Sequence, residues 1–504
     1  MLFLLAHSQL LLTNPYIKMS ALDLVQISEC LQLIRQKKHR NAPVSVEDLP
    51  LSVLANILSF CDPSTQHRAA RAATCFRTAL AELHPVTDLR DMNDNCLGLD
   101  FLPADVLLSI FKHLDRQSLG RVGQVCSRFR DIAYTDALWV DSARTALGSN
   151  QVDNEFASKS QEMLTARDRV KLGSSWSRGK YTESLIAVQN TKFMPRLQLE
   201  NKRLWVSWGS RIWCHPRLPG GGVAKHTTKV LRAHSDDVSK FVVSEGMVVS
   251  GGRDRSLCGW SAHSGQFLFA RRYCHAGEIN AVDVAARGHA IVTGSRDKHV
   301  IVWNLQEDQD REGALLPVPV HRTCVEDRVW SVAANNTGLL TVGTAGTRGT
   351  CPLRLYDLAT GGHVLDMGQH LKNGAGMLDL AWLSHSTFLA CGYDTCTRLW
   401  DTRCGGSVRT WEEPYDESVY CLATDHVNLL VTGTARHGRV RIWDMRSSAS
   451  LYARHAAAAR KGQSSPVYSL AVDASNMYVA LDMSLNHWGY SEMTCGKRQN
   501  VIRR

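Results

Sequence analysis

The sequence predicts an all-β, seven-bladed propeller preceded by a small all-α domain. Each of seven similar segments holds a short apolar run, a Gly-rich turn, a second apolar run and an aromatic residue, as in VVSGGRDRSLCGW and IVTGSRDKHVIVW. A period of about 40–45 residues with this content is typical of four-stranded propeller blades. The aromatic residues recur at intervals of 43 to 53 residues and are Trp213, Trp260, Trp303, Tyr356, Trp400, Trp443 and Trp488.

Residues 1–96 are predicted to form an N-terminal helical extension. Apolar residues recur on one face of residues 20–40, as in an amphipathic helix. The segment 44–80 repeats the Leu-Pro and several apolar positions of the module that follows it, but Ala69 and Ala72 stand where that module has valines. We interpret 44–80 as a degenerate copy that supports the module; a working second copy is the alternative.

Residues 97–140 are predicted to form a module of short helices. Pro103 opens the first helix, at a position where its missing N–H costs nothing. A second helix is predicted to carry the apolar residues Leu119, Val122, Val125, Phe129 and Ile132. A module of this size cannot cover so much apolar surface by itself. We therefore expect it to be half of an interface.

Residues 141–181 are predicted to form a helical connector. Residues 182–504 are predicted to form the propeller. The connector holds a short helix in EMLTARDRVKLG and a turn with an aromatic anchor in SSWSRGKY. Charges and prolines at Gln306–Val320 predict a surface loop. Ser184–Gln189 is an extra strand, which we expect to pair as the outer strand of the last blade, since this closes the ring without loose edges.

Two parts of the chain resemble known families. The propeller repeats resemble WD repeats from about Ser184 to the C-terminus. The module resembles the F-box, through Leu102-Pro103, a helix ending in Leu-Asp, and the run VCSRFR that starts at Val125. An F-box before seven WD repeats is the plan of the F-box/WD-repeat substrate receptors, and stretches such as EDRVWSV, CGYDTCTRLWD and WEEPYDESVYCL support the likeness.

The WD resemblance implies a buried relay of His, turn Asp and Trp within a blade. His234 and His275 stand 26 and 28 residues before Trp260 and Trp303, and Asp254 lies in the turn between. The later repeats lack the histidine. We expect those blades to be held mainly by apolar packing, and we interpret all these residues as structural.

The family resemblance also implies two binding surfaces. The F-box is expected to dock on a Skp-type adaptor, which connects to a cullin scaffold, through Leu102, Pro103, Val106, Ile110, Leu119, Val122, Val125 and Phe129. The mouth of the propeller is expected to bind a protein substrate, with a phosphorylated form favoured, through Arg354, Arg398, Arg441, Trp330, Tyr420 and Tyr468. The structural alternative is that the arginines pair with neighbouring Asp or Glu and that the aromatic residues fill the channel.

The expected function is that of a non-catalytic substrate receptor of an SCF-type ubiquitin ligase. The sequence has no G-x-S-x-G, H-E-x-x-H or P-loop, and GTAGTRGT at Gly343–Thr350 lacks the lysine that a phosphate loop requires. No cofactor is expected. The alternative is a WD-repeat scaffold in a complex that is not devoted to ubiquitination.

Composition limits the cellular compartments and the classes of partner that we expect for this protein. The 15 cysteines are scattered without a CxxC pair, so the sequence predicts no zinc site and favours reduced thiols in the cytoplasm or nucleus. The net charge of +10 is mild, and we expect neither nucleic acid nor a membrane as a partner. The apolar start MLFLLAHSQLLL is too short to span a bilayer.

Overall fold

The computed structural model describes residues 104–491, except 225, 286–289, 308–314 and 461, and the backbone of Ile502–Arg503. The N-terminal extension with its segment 44–80, and Leu102 and Pro103, lie outside the described residues. The chain forms two compact units, Met1–Leu138 and Trp139–Arg504.

The described part of the first unit is helical. It contains helices α1 (Ala104–Phe111), α2 (Arg116–Val122) and α3 (Ser127–Ala133), followed by one 3₁₀ turn at Asp136–Leu138. Both α1 and α2 pack against α3. The rings of Phe111 and Phe129 meet edge to face with centroids 5.6 Å apart.

The predicted second helix is two helices, and local capping explains the break. Gly123 ends α2, and its backbone N–H donates to the carbonyls of Leu119 and Arg121. Cys126 then has an extended backbone, and its Sγ accepts from the N–H of Phe129 at 3.4 Å, which starts α3. Val125 consequently lies in a tight turn and is 70% exposed. Periodicity alone does not reveal such a break, because apolar spacings of three and four residues persist through it.

The second unit contains seven antiparallel sheets, and the fold class is the predicted seven-bladed propeller. Blades 1 to 6 each use four consecutive strands in the order of the chain. The strands of blades 1 to 3 are β2 (Leu197–Leu199), β3 (Arg203–Trp208), β4 (Arg211–Pro216), β5 (Lys229–Arg232), β6 (Val238–Ser244), β7 (Met247–Gly252), β8 (Leu257–Ser261), β9 (Phe267–Arg271), β10 (Ile279–Ala285), β11 (Ala290–Ser295), β12 (His299–Glu307) and β13 (Leu315–Cys324).

Blades 4 to 6 repeat the same meander. Their strands are β14 (Val329–Ala334), β15 (Leu339–Thr344), β16 (Leu353–Asp357), β17 (His363–Met367), β18 (Met377–Trp382), β19 (Thr387–Gly392), β20 (Cys396–Asp401), β21 (Gly406–Glu412), β22 (Val419–Thr424), β23 (Leu429–Thr434), β24 (Arg439–Asp444) and β25 (Ser450–His455).

Blade 7 is shared between the two ends of the propeller, as predicted. It combines β26 (Val467–Val472), β27 (Asn476–Leu481) and β28 (Ser484–Gly489) with β1 (Thr182–Val188). Strand β1 pairs antiparallel with β28, from Thr182 opposite Gly489 to Val188 opposite Ser484. The short β29 (Ile502–Arg503) adds in parallel to the outer side of β1.

The meander gives the propeller two distinct faces. Turns between second and third strands, and the connections from one blade to the next, lie on what we call the upper face. Turns between first and second strands, and between third and fourth strands, lie on the lower face. First strands line the central channel in every blade.

The connector folds onto the lower face of the last blades. Its helices are α4 (Val140–Arg144), α5 (Asn154–Lys159) and α6 (Ala166–Arg178), with Thr165 capping α6 and Gly179 ending it at a φ of 64°. The predicted anchor Trp176 lies inside α6 rather than in a turn. Its ring stacks on Tyr490 at 3.6 Å, and its Nε1 donates to the carbonyl of Ala474 at 2.9 Å. The helix extends beyond its predicted end because Trp176 and the buried Phe156 join the core of blades 6 and 7.

The predicted surface loop at Gln306–Val320 is in part a β-hairpin. Strands β12 and β13 remain paired out to Glu307 opposite Leu315. Pro317 and Pro319 lie on the outermost strand, where a missing N–H interrupts no further ladder. Among the described residues, no helix is both long and apolar enough to cross a membrane.

Candidate functional site

One blade contains the complete relay that the repeats predict. In blade 3, Trp303 Nε1 donates to Thr293 Oγ1 at 2.9 Å, and Thr293 Oγ1 lies 2.8 Å from His275 Nε2. His275 Nδ1 lies 3.1 Å from Asp297 Oδ2. Burial lowers the pKa of His275, against the opposing effect of Asp297. A neutral imidazole that donates to Asp297 and accepts from Thr293 satisfies every member, so the relay is structural.

Blades 2 and 6 keep parts of this relay. In blade 2, His234 contacts Asp254 at 2.9 Å and Ser250 Oγ at 2.7 Å. In blade 6, Trp443 still donates to a threonine, Thr432, at 3.0 Å. Within the described structure, the indole N–H of Trp400 in blade 5 has no hydrogen-bond partner, and the ring is fully buried in an apolar cluster.

The upper end of the channel, called the mouth below, is formed by a bulge that recurs in the first strands. In blades 2 to 7 the pairing of the first strand with the second is irregular at the strand's second residue. A bulged residue leaves the ladder and changes the direction of its side chain. These residues are Ser239, Asn280, Trp330, Leu378, Tyr420 and Tyr468.

The predicted aromatic residues Trp330, Tyr420 and Tyr468 all occupy this position. Tyr393, from the turn after β19, lies between the first two, with ring centroids 6.3 Å from Trp330 and 6.3 Å from Tyr420. The rings of Tyr420 and Tyr468 are 6.1 Å apart. We call these four residues the aromatic arc. It crosses blades 4 to 7 on one side of the mouth.

An ion pair crosses the channel one residue below the bulge. Lys240 Nζ in blade 2 lies 3.3 Å from Asp379 Oδ1 in blade 5, on the opposite side of the ring. Asp379 Oδ2 also accepts from the N–H of Leu422 in blade 6 at 3.1 Å. The mouth therefore has a floor whose two charges neutralise each other.

The three predicted arginines lie at matching places on third strands, each already paired with a carboxylate. Arg354 contacts Glu326 at 3.3 Å and Asp366 at 3.6 Å. Arg398 is bonded to Asp394 in its own hairpin.

Arg441 is the most enclosed of the three. Its Nε and Nη2 donate to the two oxygens of the buried Glu413 at 2.8 and 2.6 Å. Third strands run about 10 Å outside the innermost ones, given strand spacings of about 4.8 Å. The arrangement is the one that the structural alternative describes, and a role of these arginines in substrate binding stays a prediction.

Sequence reasoning missed several residues of the mouth, among them Tyr393 and Arg328. Tyr393 lies in the turn after β19, where the repeat pattern suggests only a loop residue. Arg328 precedes β14, and its guanidinium carbon lies 5.7 Å from the ring centre of Trp330. The RVW triplet at 328–330 was the available signal, because it places a cation two residues before an inward-facing aromatic residue.

The predicted adaptor residues in the first unit differ in exposure. Val106, Ile110, Val122 and Phe129 are half-buried, and Val125 is exposed. Leu119 is only 3% exposed and therefore belongs to the interior. The exposure of these residues does not test whether they bind an adaptor, and that role stays a prediction.

A helical module followed by a closed propeller with an aromatic mouth defines a class of two-part proteins that can bind other proteins through either part. The profile described as F-box-like matches residues 99–144, and that described as WD domain, G-beta repeat matches residues 268–304 and 363–401.

Curated proteins of two kinds are similar to this chain. The chain is 36% identical over 393 residues to F-box/WD repeat-containing protein 4 of Homo sapiens, covering 76% of this chain and 91% of the relative. The Mus musculus protein of that name is 35% identical over 390 residues, covering 76% and 92%. A Guanine nucleotide-binding protein subunit beta of Zea mays is 27% identical over 237 residues, or 44% of this chain and 59% of the relative. The chain belongs to the F-box/WD-repeat family.

Proposed function

We propose that this protein is the substrate-recognition subunit of an SCF-type E3 ubiquitin ligase. The F-box docks a Skp-type adaptor and through it a cullin scaffold, and the propeller holds a protein substrate for ubiquitination and proteasomal degradation. The chain itself contributes no covalent chemistry and acts in the cytoplasm or nucleus. The observation that carries the proposal is an F-box-like match that precedes the propeller in this chain, together with a similarity to F-box/WD repeat-containing protein 4 of Homo sapiens that covers 91% of that protein.

Adaptor binding is proposed for the apolar residues of the first unit that remain accessible. Val125 projects from the turn between α2 and α3, and Val106, Ile110 and Val122 are half-buried. Leu119 supports this surface from inside, so its truncation would act through folding, at a cost of about 2–5 kcal/mol. The half-buried Phe129, with Leu102 and Pro103, completes the proposed set.

Substrate binding is proposed for the mouth, with Trp330, Tyr420 and Tyr468 as anchors and a phosphorylated substrate as the favoured form. Aromatic anchors supply much of the binding energy in protein interfaces. For Arg354, Arg398 or Arg441 to grip a phosphate, the phosphate must share or replace a carboxylate that each guanidinium already contacts.

The test is co-purification of adaptor and cullin with full-length variants. Val125→Asp places an unpaired charge on an exposed position, which should leave folding intact and weaken adaptor binding at least about tenfold, since desolvating such a charge costs more than about 1.4 kcal/mol. Leu102→Ala with Pro103→Ala should abolish adaptor binding. Val152→Asp, at a 79% exposed valine in the second unit, is the matched control and should bind adaptor normally.

Two outcomes would contradict the proposal. Unchanged adaptor binding by both F-box variants would refute the adaptor surface. Adaptor binding without cullin would favour the scaffold alternative. With the proteasome inhibited, partners that accumulate on the wild type and lose ubiquitin in the F-box variants are the expected substrates.

A further inference from the structure

The aromatic arc ends in an arginine on both sides. At the blade 4 end, the guanidinium carbon of Arg328 lies 5.7 Å from the ring centre of Trp330. At the blade 7 end, Arg196 Nη1 donates to the carbonyl of Tyr468 at 2.7 Å, and its Nε donates to the carbonyl of Ser239 at 3.1 Å. The four rings thus form one surface that extends from Arg328 at one end to Arg196 at the other.

These two arginines differ in their partners from Arg253 and Arg296, which also lie on the upper face. Within the described part of the chain, neither Arg328 nor Arg196 forms an ion pair with a carboxylate. Arg253 is paired with Asp237 at 3.7 Å, and Arg296 with Glu278 at 3.6 Å. The guanidinium groups of Arg328 and Arg196 are therefore not neutralised by a carboxylate among the described residues.

The floor below the arc adds no net charge to this surface. The floor is the neutral pair of Lys240 and Asp379, 3.3 Å apart. Leu378, at the bulged position of blade 5, continues the apolar surface between Trp330 and Tyr420. A ligand that satisfies all of these groups carries an apolar side chain for the rings and anionic groups beside it.

The tyrosine hydroxyls favour the same ligand. Burial, with a smaller contribution from Tyr420, raises the pKa of both Tyr393 and Tyr468. Their hydroxyls accordingly stay protonated near neutral pH and can donate to carboxylate or phosphate oxygens. Hydrogen bonds to an ionised acceptor are roughly twice as strong as neutral ones.

Resting on the receptor function proposed above, we propose that the mouth binds an acidic peptide, with an aromatic or large aliphatic side chain on the aromatic arc and flanking anionic groups on Arg328 and Arg196. The anion is a carboxylate or a phosphate, since a guanidinium binds both. Arg328 is the specificity-determining residue. Its side chain is half-buried on Trp330, donates no hydrogen bond to a described residue and so remains available to a ligand.

The probe is a random library of peptides of about twelve residues, ~40 Å long when extended. It is applied to the full-length protein. We expect enrichment of peptides in which an aromatic or aliphatic residue is flanked by Asp or Glu. A companion library with phosphoserine in place of Glu separates the two anions, because preferential enrichment of the phosphorylated peptides identifies phosphate and equal or weaker enrichment identifies carboxylate.

Three single variants identify the arginine that binds the anionic groups of the peptide. Arg328→Gln should weaken binding of the enriched peptides at least about tenfold, the effect of one lost charge-assisted hydrogen bond. Arg296→Gln, the matched control on the same face, should bind within about twofold of the wild type. Arg398→Gln, which tests the carboxylate-paired arginines, should also keep most of the binding, and thermal melting verifies that each variant is folded.

Enrichment of neutral or basic peptides, or no enrichment, would overturn the inference. An equal loss in Arg328→Gln and Arg398→Gln would overturn the assignment to Arg328. Adaptor co-purification is scored in parallel. If peptide selection fails while adaptor and cullin still bind, only the inference fails. If acidic peptides are selected by a protein that binds no adaptor, the receptor function fails instead.

Discussion

At the scale of single residues, burial determines the charge state and the hydrogen bonding of the ionisable side chains where blades 1 and 7 meet. Arg217 in blade 1 and Asp473 in blade 7 form a fully buried ion pair. The phenol of Tyr478 accepts from Arg217 Nε at 3.1 Å and donates to the carbonyl of Gly221 at 2.6 Å. Burying two charges is costly, so the pair persists only because its remaining hydrogen bonds are satisfied.

His487 lies next to this pair and gives folding a definite pH dependence. Burial, with the charge of Arg217 as a second cause, lowers its pKa to about 4. An unfolded histidine titrates near pH 6.5, so between these values the unfolded chain binds a proton that the folded chain does not. This contribution to stability is fully present above about pH 6.5 and is lost as the pH falls toward 4, by up to about 3 kcal/mol.

The measurement is denaturant unfolding of wild type and His487→Gln at several pH values between about 7.5 and 4.5. The wild type should lose stability more steeply toward low pH than the variant. His263→Gln, at an exposed position, is the control and should follow the wild-type curve. Parallel curves for wild type and His487→Gln would contradict a buried, neutral His487.

At the scale of elements, β1 is the strand on which closure of the ring depends. Besides its ladder with β28, it supplies Glu183, whose Oε1 accepts from Trp488 Nε1 and from the N–H of Ala457, each at 3.0 Å. Tyr181, directly before the strand, stacks on the ring of Trp488 at 4.6 Å. One short segment thus covers the last blade and accepts the hydrogen bond of the Trp488 indole N–H.

Deleting residues 182–190 should lower the melting temperature sharply. Blade 7 would lose its outer strand, and Trp488 would lose both its hydrogen-bond acceptor and its ladder neighbour. Glu183→Ala, which keeps the strand and removes only the shared acceptor, should cost less, about 1–3 kcal/mol. Calorimetry on the three proteins gives the comparison, and a deletion that melts like the parent would argue against closure through β1.

At the scale of the whole molecule, the connector belongs physically to the propeller. Phe156 and Trp176 are fully buried in the same apolar cluster as residues of blades 6 and 7. Gly148 and Asn150 bond to Asp425, and Arg217 donates to the carbonyl of Lys159 at 2.7 Å. The lower face of these blades is thereby covered by residues that precede the first repeat.

A fragment that starts at Trp139 should therefore be much more stable than one that starts at Thr182. Losing a buried Phe or Trp side chain costs about 3–5 kcal/mol each, and the shorter fragment loses both and exposes Tyr490. Urea unfolding of the two fragments measures the difference. Equal midpoints and slopes would show that the connector contributes nothing to the stability of the propeller.

The sequence by itself determined the class and number of blades, the shared blade 7 and the relay of blade 3. Each of these depends on local periodicity or on a short spacing that one strand or turn imposes. It also placed Trp330, Tyr420 and Tyr468 at matching positions, because equivalent residues of a repeat return to equivalent places around an axis.

Only the tertiary structure decided the state of each charge and the exposure of each apolar residue. Arg398 and Arg441 are paired while Arg328 is not, although all three are arginines near a repeat's aromatic residue. Val125 is exposed and Leu119 buried within one predicted apolar stripe. The physical reason is that pairing and burial depend on groups brought from other blades and turns, whose distance along the chain carries no periodic signal.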